Sequence, residues 1–223
     1  MRDENYVTAR NLARKSAEWM ALAESRCRAK KNFTFAPEKS ALLVIDMQRF
    51  FTDSRSHAYV PASDAILPNV QNLIGAYRKN SLPVIFTRHA FLDKEDPGIL
   101  GKWWRDALRD GDEFAELDQR LVPAKGELVM RKSRYSAFTN PELERRLKRD
   151  KIGQIVITGV LTHLCCESTA RDAFMCDFEV YFAVDATATD DEELHCATLQ
   201  TLSNGFAIPV STDEILVKVG ANQ

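Results

Sequence analysis

The sequence predicts an α/β fold: a three-layer αβα arrangement around a six-stranded parallel sheet, with an additional helix at the N-terminus. Three observations predict it. From Pro37 onward, short β-branched apolar runs alternate with amphipathic stretches of helical period. The apolar runs are continuous, as in strands buried on both faces, and strand–helix alternation implies right-handed crossovers between parallel strands. The chain has 223 residues, 45% of them hydrophobic, which suffices for one sizeable core.

Residues 4–31 read as a helix, with Ala9, Leu12, Ala13, Ser16, Met20, Ala23 and Cys27 on one side. The stripe is alanine-rich. It suits either a helix packed on its own domain or an arm reaching another subunit. The chain thus divides into an N-terminal helical extension (1–36) and an α/β domain (37–223). In that domain residues 41–45 (ALLVI), 83–87 (PVIFT), 128–130, 152–158 (IGQIVIT), 179–184 and 206–210 read as strands. Helical spacing covers residues 66–77, 141–148, 162–176 and 192–202. Asn140-Pro141 supplies a cap and a first helical position, and Asn204-Gly205 a stop signal. Residues 91–111, with Trp103-Trp104 and Asp96-Pro97-Gly98, are the least regular stretch and suit a lid.

Composition narrows the function. The net charge of -2 and the lack of a like-charge block give no footprint for nucleic acid. No apolar run approaches the roughly 20 residues of a membrane helix, and the charged N-terminus does not read as a signal peptide. Five cysteines without a CxxC pair suit a reducing cytoplasm. The expected partner is a small molecule, with neither nucleic acid nor membrane involved.

In a parallel sheet, ligands bind outside the carboxyl ends of the strands. Asp46 directly follows ALLVI. Taken alone, it reads equally well as a solvated turn aspartate. Lys132 lies just beyond the third strand, where most lysines are simply solvated. Cys165 follows the fourth strand, just inside the next helix, where free N–H groups and the helix dipole stabilise a thiolate. A buried, inert cysteine is its ordinary alternative. Neighbouring helix positions point about 100° apart, so only one of Cys165 and Cys166 faces the site. Cys166 shares an apolar stripe with Ala170, Ala173 and Phe174, whereas Cys165 aligns with Thr169 and Asp172. Cys165 is therefore the nucleophile candidate. Convergence decides: three strands bring a carboxylate, an ammonium and a thiol to one edge. Acyl transfer by a thiol needs a proton acceptor, a nearby cation lowers a thiol pKa, and backbone N–H groups of residues 159–165 can receive an oxyanion.

The segments ALLVIDMQRFF (41–51), PVIFTRH (83–89), RKSRYSAF (131–138), ITGVLTHLCCESTARDAF (157–174) and VDAT (184–187) together resemble the isochorismatase-like cysteine hydrolases. That superfamily includes nicotinamidases, N-carbamoylsarcosine amidase, ureidoacrylate amidohydrolases and true isochorismatases. The resemblance implies a triad of Asp46, Lys132 and Cys165. It also implies a cis Val160–Leu161 bond, with the Leu161 and Cys165 amides as the oxyanion hole. It implies a six-stranded parallel sheet and a homo-oligomer, dimer or tetramer. Nicotinamidases carry a metal-binding Asp/His cluster. Here only His57 and His89 are nearby, so no metal or other cofactor is expected and nicotinamide becomes a weaker candidate.

Gln48, His89, Tyr135 and Trp103 are candidate substrate contacts, each with an ordinary packing or loop role as its alternative. The function expected is hydrolysis of the C–N bond of a small amide, ureido or carbamoyl compound through a thioester. The alternative is isochorismatase-type vinyl ether hydrolysis with Asp46 as acid. True isochorismatases carry glycine where Cys165 stands, which argues against it.

Overall fold

The computed structural model describes residues 5–220. The start of the expected N-terminal helix at residue 4, and the outermost ends of the two proposed domains, lie outside them. Six strands form one parallel sheet: β1 (Ser40–Ile45), β2 (Val84–His89), β3 (Leu128–Lys132), β4 (Gln154–Val160), β5 (Glu179–Ala188) and β6 (Ile208–Val210), in the order β3-β2-β1-β4-β5-β6. The chain order reverses beside β1, between β1 and β4, which places the switch point there. β1 and β4 are buried along their whole length, which is why both read as unbroken apolar runs.

Helices flank the sheet: α1 (Leu12–Glu24), α2 (Arg49–Thr52), α3 (Ala62–Lys79), α4 (Gly98–Trp104), α5 (Pro141–Arg149), α6 (Glu167–Met175), α7 (Glu192–Gly205) and α8 (Thr212–Gly220). The N-terminal helix is shorter than its periodicity predicts, and its buried residues are Trp19 and Ala23. Leu12, Lys15, Ser16 and Met20 are half-buried beside them, while Ala13 is exposed. A single large aromatic, not the alanine stripe, sets the docking face. This helix packs on α7 and β5 of its own chain. With Val7, Trp19 and Ala23 it joins the same apolar core as the sheet.

α3 starts earlier than expected and holds Pro68 in its interior. Burial of Ala62, Ala65, Ile66, Val70, Leu73, Ile74 and Tyr77 outweighs the one backbone bond lost at the proline. β5 runs on through VDAT, where the polar residues suggested an end. Asp185 is satisfied there by the Thr212 N–H and hydroxyl, both at 2.8 Å. Residues 91–111 are not irregular throughout: they contain α4 and are tied back by Phe91 N–H to the Leu108 carbonyl at 2.9 Å.

Candidate active site

The carboxyl ends of four adjacent strands carry the candidate groups: Lys132 from β3, His89 from β2, Asp46 after β1, and Cys165 just after β4. His89 and Lys132 are direct register partners. Asp46 leaves β1 in a left-handed conformation, φ 46°. Gly159 makes that turn possible from the neighbouring strand. Its φ is +110°, and a Cβ there would lie 2.0 Å from the Ile45 carbonyl oxygen. The Val160–Leu161 peptide is cis, as the resemblance implied.

Cys165 sits on a π-helical turn, Thr162–Cys166, that precedes α6, rather than on the first turn of one continuous α-helix. Such turns widen the helix by one residue and recur at functional sites. The turn separates the two thiols. Cys165 lines a cavity, whereas Cys166 is fully buried and its Sγ lies 4.0 Å from the Thr158 carbonyl.

Asp46, Lys132 and Cys165 meet. Lys132 Nζ lies 2.5 Å from Asp46 Oδ2 and 3.4 Å from Cys165 Sγ, and it donates to the Arg134 carbonyl at 3.0 Å. The Thr87 hydroxyl donates to Asp46 Oδ1 at 2.7 Å, so the carboxylate is fixed from the next strand. Nothing in the order of residues singled out Thr87. Its place in the carboxyl-terminal half of β2, beside β1, is the signal that was there to use. Burial opposes the charge on Lys132, but Asp46 and Cys165 outweigh it and raise its pKa. The thiol behaves differently from expectation. Burial pushes the Cys165 pKa up to about 12; Lys132 pulls it down, and the negative charge of Asp46 pushes it further up. Desolvation, which no neighbour in sequence reports, outweighs the cation, so the resting group is a neutral S–H against a buried ion pair.

Above these three side chains lies a cavity of about 240 Å³. Phe50, Phe91, Trp104, Tyr135, Leu164 and Cys165 are among the residues that wall it. Leu161 and His89 also line it. The imidazole of His89 is mostly buried, packs edge-on against Phe91 and is held neutral: burial first, then Lys132, lower its pKa to about 4. Its Nδ1 has no hydrogen-bond partner.

Two expected contacts are corrected. Gln48 is fully buried and does not line the cavity; its amide accepts from His89 N–H at 2.6 Å and donates to the His89 carbonyl at 3.1 Å and the Ala115 carbonyl at 2.7 Å. All its polar capacity toward the site goes to the main chain. Trp103 is 74% exposed and points away, whereas Trp104 faces the cavity and its indole N–H donates to Tyr135 Oη at 2.7 Å. In a helix as short as α4 the sequence carries no periodicity that says which of the two turns inward. His57 and Asp106 pair at 2.9 Å at the mouth, yet among the described residues no group of three or more His, Cys, Asp or Glu is placed to hold a metal ion. The residues present do not fit the metal centre that some relatives of this fold carry.

A carboxylate, an ammonium and a thiol in contact beneath a largely aromatic-walled cavity at the switch point of a parallel sheet form an arrangement able to carry thiol-mediated acyl transfer. Residues 40–214 match the Isochorismatase domain family, and the chain belongs to that family of hydrolases. It is 42% identical over 180 residues to nicotinamidase 3 of Arabidopsis thaliana, covering 79% of this chain and 86% of that protein. It is 31% identical over 188 residues to enterobactin synthase component B of Escherichia coli K12, covering 84% of this chain but 66% of that protein. Among solved structures, a cysteine hydrolase from Pseudomonas syringae superposes with a TM-score of 0.82 at 24% identity, covering 86% of this chain and 97% of that one, and speaks for the fold.

Proposed function

We propose that this protein hydrolyses the carboxamide of a small, neutral, planar substrate, with Cys165 as nucleophile, Asp46 as proton carrier and Lys132 as the cation that holds both. The observation that carries the reading is the Lys132 ammonium, 2.5 Å from the carboxylate and 3.4 Å from the thiol.

As sulfur attacks the amide carbon, the S–H proton passes to Asp46 and a C–S bond forms. The Leu161 and Cys165 N–H groups receive the negative charge that develops on oxygen. Asp46 returns the proton to the leaving nitrogen, the C–N bond breaks and ammonia departs. Asp46 then deprotonates a water that attacks the thioester, and its proton restores the thiol as the acid leaves. A thiol with a pKa of about 12 makes this proton transfer necessary at neutral pH, since almost none of it is ionised beforehand.

Aromatic walls and the lack of any lysine or arginine among the residues lining the cavity support a neutral ring. That no Asp/His cluster is placed to hold a metal among the described residues argues against nicotinamide, but 42% identity to a nicotinamidase argues for a ring carboxamide of that kind. The test is ammonia release from nicotinamide, benzamide, ureidoacrylate and N-carbamoylsarcosine, run beside Cys165→Ala. One or more ring amides should turn over with the native thiol only. Turnover that survives Cys165→Ala sinks the reading.

Vinyl ether hydrolysis with Asp46 as acid is the second reading, favoured by the match of residues 40–214 to the Isochorismatase domain family. An isochorismate-like dicarboxylate would enter a cavity lined by no lysine or arginine and by the Asp106 and Asp190 carboxylates, which weighs against it.

A further inference from the structure

We infer that the N-terminal segment, residues 5–24, is a positioning element that fixes the turn carrying Cys165. The segment precedes the part of the chain that matches the family, residues 40–214, and it reaches the nucleophile by two separate routes.

The first route starts at Tyr6. Its hydroxyl oxygen accepts the Thr189 N–H at 3.2 Å. The Thr189 hydroxyl in turn pairs with His163 Nδ1 at 2.5 Å, and His163 is two residues before Cys165 on the same π-helical turn. Asp190, next to Thr189, lines the cavity. The second route starts at Trp19. Its ring centroid lies 4.4 Å from that of His195, and His195 Nδ1 pairs with the Thr162 hydroxyl at 3.0 Å. Thr162 opens the turn. Both leading residues of the turn are thus fixed by side chains that lean on the N-terminal segment.

The segment can bear that load because it is itself locked. Val7, Trp19 and Ala23 are buried. Lys15 Nζ lies 2.6 Å from Glu192 Oε2, and the Trp19 indole donates to Glu192 Oε1 at 2.9 Å. The Thr162 and His163 bonds matter because the turn is short: a small rotation would carry Sγ out of reach of Lys132. Displacements near 1 Å in a reacting group change rates by up to about 100-fold. Tyr6, Trp19, Thr162, His163, Thr189 and His195 are therefore positioning residues, not catalytic ones.

The test uses the full-length protein and needs no knowledge of the substrate. The rate of Cys165 alkylation by iodoacetamide is followed by peptide mass mapping in Tyr6→Phe, Thr162→Val and Thr162→Ser, with thermal melting measured in parallel. Tyr6→Phe and Thr162→Val should slow alkylation at Cys165 about 5- to 20-fold while the melting point falls only a few degrees, and Thr162→Ser should recover most of the rate. Where an amide substrate is in hand, kcat should fall in step and KM stay within about twofold. The inference is overturned if both variants alkylate within about twofold of wild type, or if their loss disappears on cooling and so tracks unfolding. Because alkylation is read without turnover, failure of the amidase reading leaves this result intact.

Discussion

Lys132 and Asp46 form an ion pair at 2.5 Å with neither side chain exposed to solvent. Two charges taken out of water are expensive, and their attraction offsets the expense only while both are present. The Thr87 hydroxyl donates to Asp46 Oδ1 and Lys132 donates to the Arg134 carbonyl, while Asp46 Oδ2 has the ammonium beside it and no hydrogen-bond partner. The pair is therefore a buried charge couple beside a thiol, and a point where the fold is vulnerable.

Lys132→Met keeps the length of the side chain and removes the charge, leaving a buried carboxylate unpaired. We expect it to abolish turnover and to lower stability by about 3–5 kcal/mol in urea unfolding. Adding Asp46→Asn should recover a substantial part of that stability and none of the activity. A single Lys132→Met variant as stable as the wild type would show that the pair is not buried as described.

Asp46→Asn alone separates the two influences on Cys165. Asp46 raises the thiol pKa and Lys132 lowers it. Removing the carboxylate's charge leaves Lys132 as the one charge of the pair beside a thiol still raised by burial, so the thiolate should form at a lower pH than in the wild type, and turnover should be lost for want of a proton carrier. Ultraviolet thiolate absorbance against pH measures the midpoint, with Cys165→Ala subtracting the other cysteines. An unchanged midpoint would mean that burial alone sets the thiol.

His195 ties stability to acid. It is fully buried, and burial lowers its pKa from 6.5 to about 4. Nδ1 pairs with Thr162, while Nε2 faces the Val184 carbonyl without completing a hydrogen bond. Between pH 6.5 and about 4 the unfolded chain binds a proton that the folded chain refuses, so stability falls as pH falls through that window. The loss should approach about 3 kcal/mol at its lower end. It is measured as urea midpoints from pH 7 to pH 4, and His195→Gln should flatten the slope. An equal slope in His195→Gln would assign the acid lability elsewhere.

Trp104 and Trp103 give a paired test of the cavity wall. Trp104→Ala removes a wall and the donor to Tyr135, so KM for an amide substrate should rise about 10-fold. Trp103→Ala, at an exposed position, should leave KM within about twofold. The reverse order would place the substrate on the outer face of α4.

How far the sequence reached depended on whether the relevant physics was local. β1 and β4 declare themselves because burial on both faces demands unbroken apolar runs, and parallel topology then sends Asp46, Lys132 and Cys165 to one edge. Gln48 was out of reach because its partners, His89 and Ala115, come from segments 41 and 67 residues away. Trp19 was missed because seven small or weakly apolar residues make a more regular helical stripe than one tryptophan does. The raised pKa of Cys165 is a property of the desolvated site, which no neighbour in sequence reports.

Gly159 joins the fold to the site most directly. It lies on β4 opposite Ile45, the last residue of β1 before Asp46, at the point where the β4–β5 register shifts. With φ at +110° it is already in a conformation that side chains disfavour, and an added Cβ would meet the Ile45 oxygen at 2.0 Å and its carbonyl carbon at 2.8 Å. Backbone atoms cannot rotate away as a side-chain tip can. Gly159→Ala must therefore push β4 from β1, and the push separates Asp46 from Cys165. We expect a loss of at least about 3 kcal/mol in stability. In any fraction that stays folded at low temperature, kcat should fall by about 100-fold or more while Cys165 remains titratable. A Gly159→Ala protein with native stability and native turnover would show that the two strand ends are free to move apart without consequence.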